Sequence, residues 1–379
     1  MAKDFASRIE PTGITMRRSL IMLVPGLTRV TSTAQLSEFT EGLIAASERM
    51  PLTTISDPSV PAGINRLRIS GTQELDLVEA YWNDLVPSIT QQSLKTRLAR
   101  GFSLIWFWLA NLHIWKGVLK RKYLTFGLTL SALAFIVWYL GTIILFVEAI
   151  EPTSDSPFYP AVQQLKQGVE YIGGWRIWLI ATAVVAVMPV SLLVDISDFC
   201  KRYLTNEPAA KGKPAVRFEI IRRVREQLEN SIKLYDYDSV TVVGHSFGSV
   251  VTVDLFADLP PIGKPIRILT MGSLIEVLGK QAPWLQGEVE QLSQREDLIE
   301  WIDIKSHSDW FASGSAVPAR HHCYERVIGS YGTFPDKLAA RVHSRYFDNQ
   351  EAVRLLLTYF EKQNTHSMLP TSEKALEPT

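Results

Sequence analysis

The stretch "VTVVGHSFGSVV", Val240 to Val251, sets one serine between two glycines, directly after a run of β-branched residues and ahead of a second apolar run. β-Branched residues bounded by glycine suit a buried strand, and the run after the serine suits a buried helix. Gly244-His245-Ser246-Phe247-Gly248 is therefore a GxSxG pentapeptide at a strand-to-helix turn. So sharp a turn strains its central residue and brings neighbouring chain close, so side chains two residues to either side would clash. Glycines at 244 and 248 remove that clash. The Ser246 hydroxyl is then presented at the carboxyl edge of a sheet and at a helix N-terminus, where developing negative charge is favoured.

Outward from this turn, the chain alternates strand and helix patterns. "SLIMLVPGLTRV" (19–30) is a nearly continuous apolar run broken by Pro25-Gly26, the mark of a buried parallel strand ending in a loop. A helix is expected from about Thr33 to Arg49, and "LDLVEAYWNDL" (75–85) is a second strand candidate. "RFEIIRRVREQLENSIKL" (217–234) places Phe218, Ile221, Val224, Leu228 and Ile232 three and four residues apart, an amphipathic helix with those side chains inward. Strands follow at Ser239–Val243, Ile266–Met271 and Trp301–Ile304. Helices are expected at Phe247–Asp258 and Asn349–Glu361, the last with Asp348 and Glu351 at capping-box spacing. Such alternation predicts an α/β protein with a mostly parallel sheet flanked by helices.

Two windows interrupt it. Gly127 to Val147 runs 21 residues without a charge, enough to cross roughly 30 Å of hydrocarbon. Ile177 to Val194 adds 18 uncharged residues with Pro189 inside, read as a kinked span, with a buried core helix as the alternative. Gly101 to Trp115 is charge-free but only 15 residues long and holds Trp106, Trp108 and Trp115, which fits an interfacial helix. Lys95, Arg97, Arg100, Lys116, Lys120, Arg121 and Lys122 precede the first span, and Lys201, Arg202, Lys211 and Lys213 follow the second. Between them, Lys166 stands against Glu148, Glu151, Asp155 and Glu170. The excess of basic residues puts both flanks in the cytoplasm.

The expected organisation is a flexible tail at 1–15, a first part of the core at 16–94, a membrane insertion at 95–213, a second part at 214–363 and a flexible tail at 364–379. Within the insertion lie an interfacial helix at 101–118, spans at about 125–148 and 175–197, and an outer loop at 149–174. The expected setting is an integral membrane protein with two transmembrane helices, a cytoplasmic catalytic domain and the lipid bilayer as partner. No signal peptide is expected, since "LIMLV" is short and no small-residue cleavage site follows it.

Composition narrows the function classes. Lys plus Arg and Asp plus Glu both number 39, and no basic block carries interleaved aromatics, which speaks against a nucleic-acid partner. The two cysteines, Cys200 and Cys323, are far apart and show no zinc-ligand spacing. Neither a metal nor another cofactor is expected, and the oligomeric state is not legible.

A serine hydroxyl becomes a nucleophile only with a neighbouring base held by an acid. Of the seven histidines, His343 in "RVHSRYFDN" (341–349) is the first choice, placed in a loop ahead of the last helix. His245 sits in the turn with its side chain pointing away from Ser246. His307, His321 and His322 are alternatives, His113 belongs to the insertion, and His366 to the tail. The acid chosen is Asp309, in the loop after "WIDIK" (301–305), where capping a turn is its other reading. Asp303 competes but is fixed to one face of a strand. Asp336 and Asp348 are weaker candidates.

With these residues in place, the chain resembles the α/β-hydrolase fold superfamily. Its lipase- and esterase-like members share the order of strand and Pro25-Gly26 loop, "GHSFG", "WIDIKSHSDW" and "VHSRYF", with Ser246, Asp309 and His343 in that chain order. The resemblance covers most residues outside 95–213, and Pro25-Gly26 stands where many relatives carry His-Gly. It implies an oxyanion hole from the backbone N–H of Phe247 with one from Gly26-Leu27. The function it implies is a serine hydrolase cleaving an ester or thioester through an acyl-enzyme. The insertion at 95–213 adds a membrane anchor and, with its tryptophans at headgroup depth, favours a lipid or other long-chain acyl substrate. The alternatives are a non-catalytic membrane scaffold with a hydrolase fold, and an acyltransferase using the same three residues.

Overall fold

The computed structural model describes residues 16–28, 31–47, 52–55, 60–69, 73–86, 103–104, 106–108, 136, 141, 159–171, 190–208, 210, 212–329, 331–333, 336–337 and 341–368. They fall into two compact units, one before residue 87 and after residue 209, the other within Pro87–Ala209.

In the first unit, strand β1 (Arg17–Val24) is followed by helix α1 (Ala34–Ala46) and strands β2 (Leu52–Thr54), β3 (Ile64–Ile69) and β4 (Gln73–Glu79). The second unit contributes helices α2 (Tyr159–Tyr171) and α3 (Val190–Leu204). The chain then returns with helix α4 (Val216–Leu234), strand β5 (Ser239–His245), helix α5 (Phe247–Asp258) and strand β6 (Ile266–Met271). Helices α6 (Ile275–Gln281) and α7 (Trp284–Ser293), strands β7 (Leu298–Ser306) and β8 (Cys323–Ile328), and helices α8 (Arg341–Ser344) and α9 (Gln350–Met368) complete it.

The eight strands form one sheet in the order β2-β3-β4-β1-β5-β6-β7-β8. It is parallel from β4 to β8, while β2-β3 and β3-β4 pair antiparallel. The reason for the parallel part is visible in burial. Every residue of β5 and β6 is buried, as strands covered on both faces must be. Alternate residues serve opposite faces: Ile21, Leu23, Val243, Leu269 and Ile304 join α1 and α9 in one core, where Phe39 meets Phe347 with ring centroids 5.1 Å apart. The opposite face is covered by α5, which packs on β5 and β1 and in turn against α4 and α7.

Several expectations need correction. The stripe that α4 buries is Val216, Ile220, Val224 and Leu228, four residues apart, whereas Phe218 is 58% exposed. Both stripes fit a helical repeat and share Val224 and Leu228, so periodicity could not separate them. Burial of each such side chain contributes about 1.5–3 kcal/mol. The last helix is capped by Asn349, whose Oδ1 accepts the Ala352 N–H at 3.0 Å, and Glu351 instead accepts the Gly329 N–H. Its helical course runs on to Met368, past the expected tail boundary at 364.

In the second unit, the expected outer loop contains α2, and residues 103–104 and 106–108 of the expected interfacial helix are helical. Of the expected spans, the first lies outside the described residues except for 136 and 141. The second is described only from 190 to 197, where α3 carries Asp195. Among the described residues no helix is long and apolar enough to cross a membrane. The expected tail at 1–15 also lies outside the described residues.

Candidate active site

The sheet order places the site. From β1 the chain moves to one side, toward β4, and from β5 it moves to the other, toward β6. A crevice opens at the carboxyl ends of strands where the winding reverses in this way, here between β1 and β5. The loops that meet there begin at Pro25 and Ser246.

Ser246 joins β5 directly to α5 with φ 54° and ψ −123°, backbone angles that L-residues avoid. It is held by its N–H on the Met271 carbonyl (2.8 Å) and by its own carbonyl, which accepts the Ser249 N–H (3.0 Å). The flanking glycines are required by contact: a Cβ on Gly248 would stand 2.1 Å from the Val24 carbonyl oxygen, and one on Gly244 2.8 Å from Ser249 Cα. The hydroxyls of Ser249 and Thr252 turn back onto the carbonyls of Gly244 and Gly248, both at 2.8 Å, so these two buried hydroxyls are satisfied within the turn.

His343 lies in the single-turn helix α8 rather than in a loop. Its Nε2 is 2.7 Å from Ser246 Oγ, and its Nδ1 is 2.8 Å from Asp309 Oδ2. A carboxylate only accepts, so Nδ1 carries the proton and Nε2 is left to accept from the serine hydroxyl. Asp309 has both roles considered for it. Its Oδ1 caps the turn after β7 by accepting the N–H groups of Phe311 (3.0 Å) and Ala312 (3.2 Å), while Oδ2 faces His343.

The electrostatics follow from these contacts. Burial disfavours the imidazolium of His343, but the charge and hydrogen bond of Asp309 outweigh it and raise the pKa above the ordinary histidine value. Burial likewise disfavours the Asp309 carboxylate, yet His343, the Phe311 N–H and the Tyr346 hydroxyl hold its pKa below the ordinary aspartate value.

The competing candidates are placed elsewhere. Asp303 is wholly buried and accepts from Thr270 Oγ1 (2.6 Å) and from Ser315 Oγ and N–H (both 2.8 Å), an arrangement that ties the acid loop to the sheet. Asp336 binds Thr333, and Asp348 is exposed. His307 and His321 are exposed, and His322 Nε2 meets the Ser293 carbonyl. His113 lies outside the described residues, as does the side chain of His366.

Three contributions were not read from the sequence. His245, expected to point away from Ser246, donates from Nε2 to the His343 carbonyl at 2.9 Å, and burial, with the nearby His343 charge, lowers its pKa to about 4. Trp82 and Asn83, read as the end of a strand, strap the loop after β1. Trp82 Nε1 donates to the Pro25 carbonyl and Asn83 Nδ2 to the Gly26 carbonyl, both at 3.1 Å, while Asn83 Oδ1 accepts the Thr28 N–H at 2.9 Å. The third is Tyr346, on Asp309 Oδ2 at 3.0 Å. A signal for Asn83 was available, since it stands at the carboxyl edge of β4, beside β1.

Gly26 is pressed against the nucleophile, a Cβ there standing 2.9 Å from Ser246 Cβ. The Gly26-Leu27 backbone and Phe247, the first residue of α5, therefore flank the serine, with Leu27 and Ser246 half-buried. Among the described residues no group of three or more His, Cys, Asp and Glu side chains is placed to hold a metal ion. Compared with protein-family models, with curated proteins and with solved structures, the chain finds no match.

Proposed function

We propose that the chain is a serine hydrolase of α/β-hydrolase type, cleaving an ester or thioester through a covalent acyl-enzyme. The observation that carries the reading is the hydrogen-bonded series Ser246–His343–Asp309, at 2.7 and 2.8 Å, drawn from three separate segments and ending on a strained serine. A serine packed only for structure needs neither the positive φ nor the buried acid behind the base.

In the first half-reaction, Ser246 Oγ bonds to the substrate carbonyl carbon as its proton passes to His343 Nε2. The carbonyl electrons move onto oxygen, and the backbone N–H groups of Phe247 and of Gly26 or Leu27, with the N-terminus of α5, offset that charge. The tetrahedral species collapses, breaking the bond to the alcohol or thiol, which leaves with the proton from His343. Water then repeats the attack with His343 as base, releasing the carboxylic acid and restoring the serine hydroxyl. Asp309 holds the His343 tautomer throughout.

The setting proposed is the membrane. The uncharged windows 127–147 and 177–194 and the basic residues outside them support two spans with the serine site on the cytoplasmic side. A lipid or other long-chain acyl group is the substrate class that suits this placement.

Labelling with a fluorophosphonate, which modifies activated serines, tests the chemistry. Wild-type protein is expected to label and Ser246→Ala to be inert. Equal labelling of the two, or none of the folded wild type, would remove the nucleophile assignment.

A further inference from the structure

The Tyr346 hydroxyl closes a contact that the three-residue series does not use. The residue is fully buried, and its phenol oxygen accepts the Ser306 N–H at 3.2 Å while donating to Asp309 Oδ2 at 3.0 Å. Both directions are forced, since a backbone N–H only donates and a carboxylate only accepts. Oδ2 therefore serves two donors, Tyr346 and His343 Nδ1, while Oδ1 serves the N–H groups of Phe311 and Ala312. The contact is built in by packing: Gly272, with φ 62°, leaves room for the ring, and a Cβ there would stand 2.8 Å from Tyr346 Cε2.

We propose that Tyr346 is a positioning residue of the serine site, its hydroxyl sharing the negative charge of Asp309 and so limiting how strongly Asp309 acts on His343. The inference rests on the serine-hydrolase reading above. Three titratable groups besides Asp309 surround it. His343 comes from α8, His245 from the turn between β5 and α5 with its ring centroid 6.0 Å from that of Tyr346, and Tyr331 from beyond β8 at 6.5 Å. Asp348 lies farther out and acts on Tyr331. Burial, together with the charge of Asp309, keeps the Tyr346 phenol far above its ordinary pKa, so it donates across the whole working range.

Removing the hydroxyl has a defined sign. Asp309 keeps more charge for His343, the imidazolium is stabilised, and His343 becomes an available base only at higher pH. The test is the rate of fluorophosphonate labelling of the full chain against pH. In Tyr346→Phe the acidic limb is expected to move up by about half a pH unit, with the rate at the alkaline plateau within about threefold of wild type. Placing 3-fluorotyrosine at 346, a stronger donor of the same shape, is expected to move the limb down. A limb that stays in place in both, with Tyr346→Phe slowed equally at every pH, would reduce Tyr346 to a packing residue and overturn the proposal. If Tyr346→Phe does not fold, the direction of the fluorotyrosine shift decides alone. Absence of labelling in the folded wild type is a different failure, that of the serine-hydrolase reading itself.

Discussion

Ser246 and His245 are neighbours under opposite constraints. The serine accepts a backbone conformation that costs on the order of 1–3 kcal/mol, held by the Met271 carbonyl and by the glycines around it. The histidine is buried and bonded in its neutral form, with no hydrogen-bond partner for Nδ1 among the described residues. Protonation must occur at that Nδ1, because Nε2 already carries the proton donated to His343. With its pKa lowered from 6.5 to about 4, His245 stays neutral in the folded protein while its unfolded counterpart takes up a proton. Its contribution to stability is therefore present above pH 6.5 and is lost as pH falls toward 4, by up to about 3 kcal/mol. Denaturant midpoints followed across this range should fall more steeply for wild type than for His245→Gln, which keeps a donor for the His343 carbonyl without a group that titrates. Parallel curves would show that His245 is not the group involved. The GxSxG pattern made the serine legible, but the use of His245 was not, since it depends on where residue 343 arrives.

Among the elements, those with a continuous apolar core were legible almost to the residue: α5 at Phe247–Asp258 and β6 at Ile266–Met271 match expectation at both ends. Short or half-exposed elements escaped. Strands β2 and β3 form an antiparallel edge, and β8 buries only its two end residues, so none carries the run that marks a covered strand. A signal for β3-β4 existed in the sequence Ser70-Gly71-Thr72, since three residues with a glycine between two strand-like runs read as a hairpin. At the end of β4, Trp82 and Asn83 act on another element altogether, the loop after β1. Asn83→Ala removes the two bonds Asn83 makes to that loop and leaves the one from Trp82, and labelling of Ser246 is expected to slow by about tenfold to a hundredfold as one proposed oxyanion donor loses its place. Melting measured alongside should change little, because the core under β1 is untouched. A labelling rate equal to wild type would detach the loop from the chemistry.

For the whole molecule, the site exists because winding reverses between β1 and β5, bringing together residues 97 and 34 positions apart in the chain. The same scale governs the membrane proposal. The full chain is expected to sediment with membranes, to resist alkaline carbonate and to be released by detergent; recovery in the carbonate supernatant would leave the windows 127–147 and 177–194 without a bilayer. Sequence alone determined that the chain is α/β, that Ser246 stands at a strand-to-helix turn, and that Asp309 and His343 follow it in chain order. These are local matters of periodicity, β-branching and the sterics of glycine, carried by a few adjacent residues. Tertiary structure alone decided which face of α4 is buried, that Asp309 caps a turn and meets His343 with opposite oxygens, and that Tyr346, Asn83 and His245 complete the surroundings of the serine. A hydrogen bond across distant segments depends on positions within a few tenths of an ångström, and those are set by the packing of the whole sheet rather than by any stretch of chain.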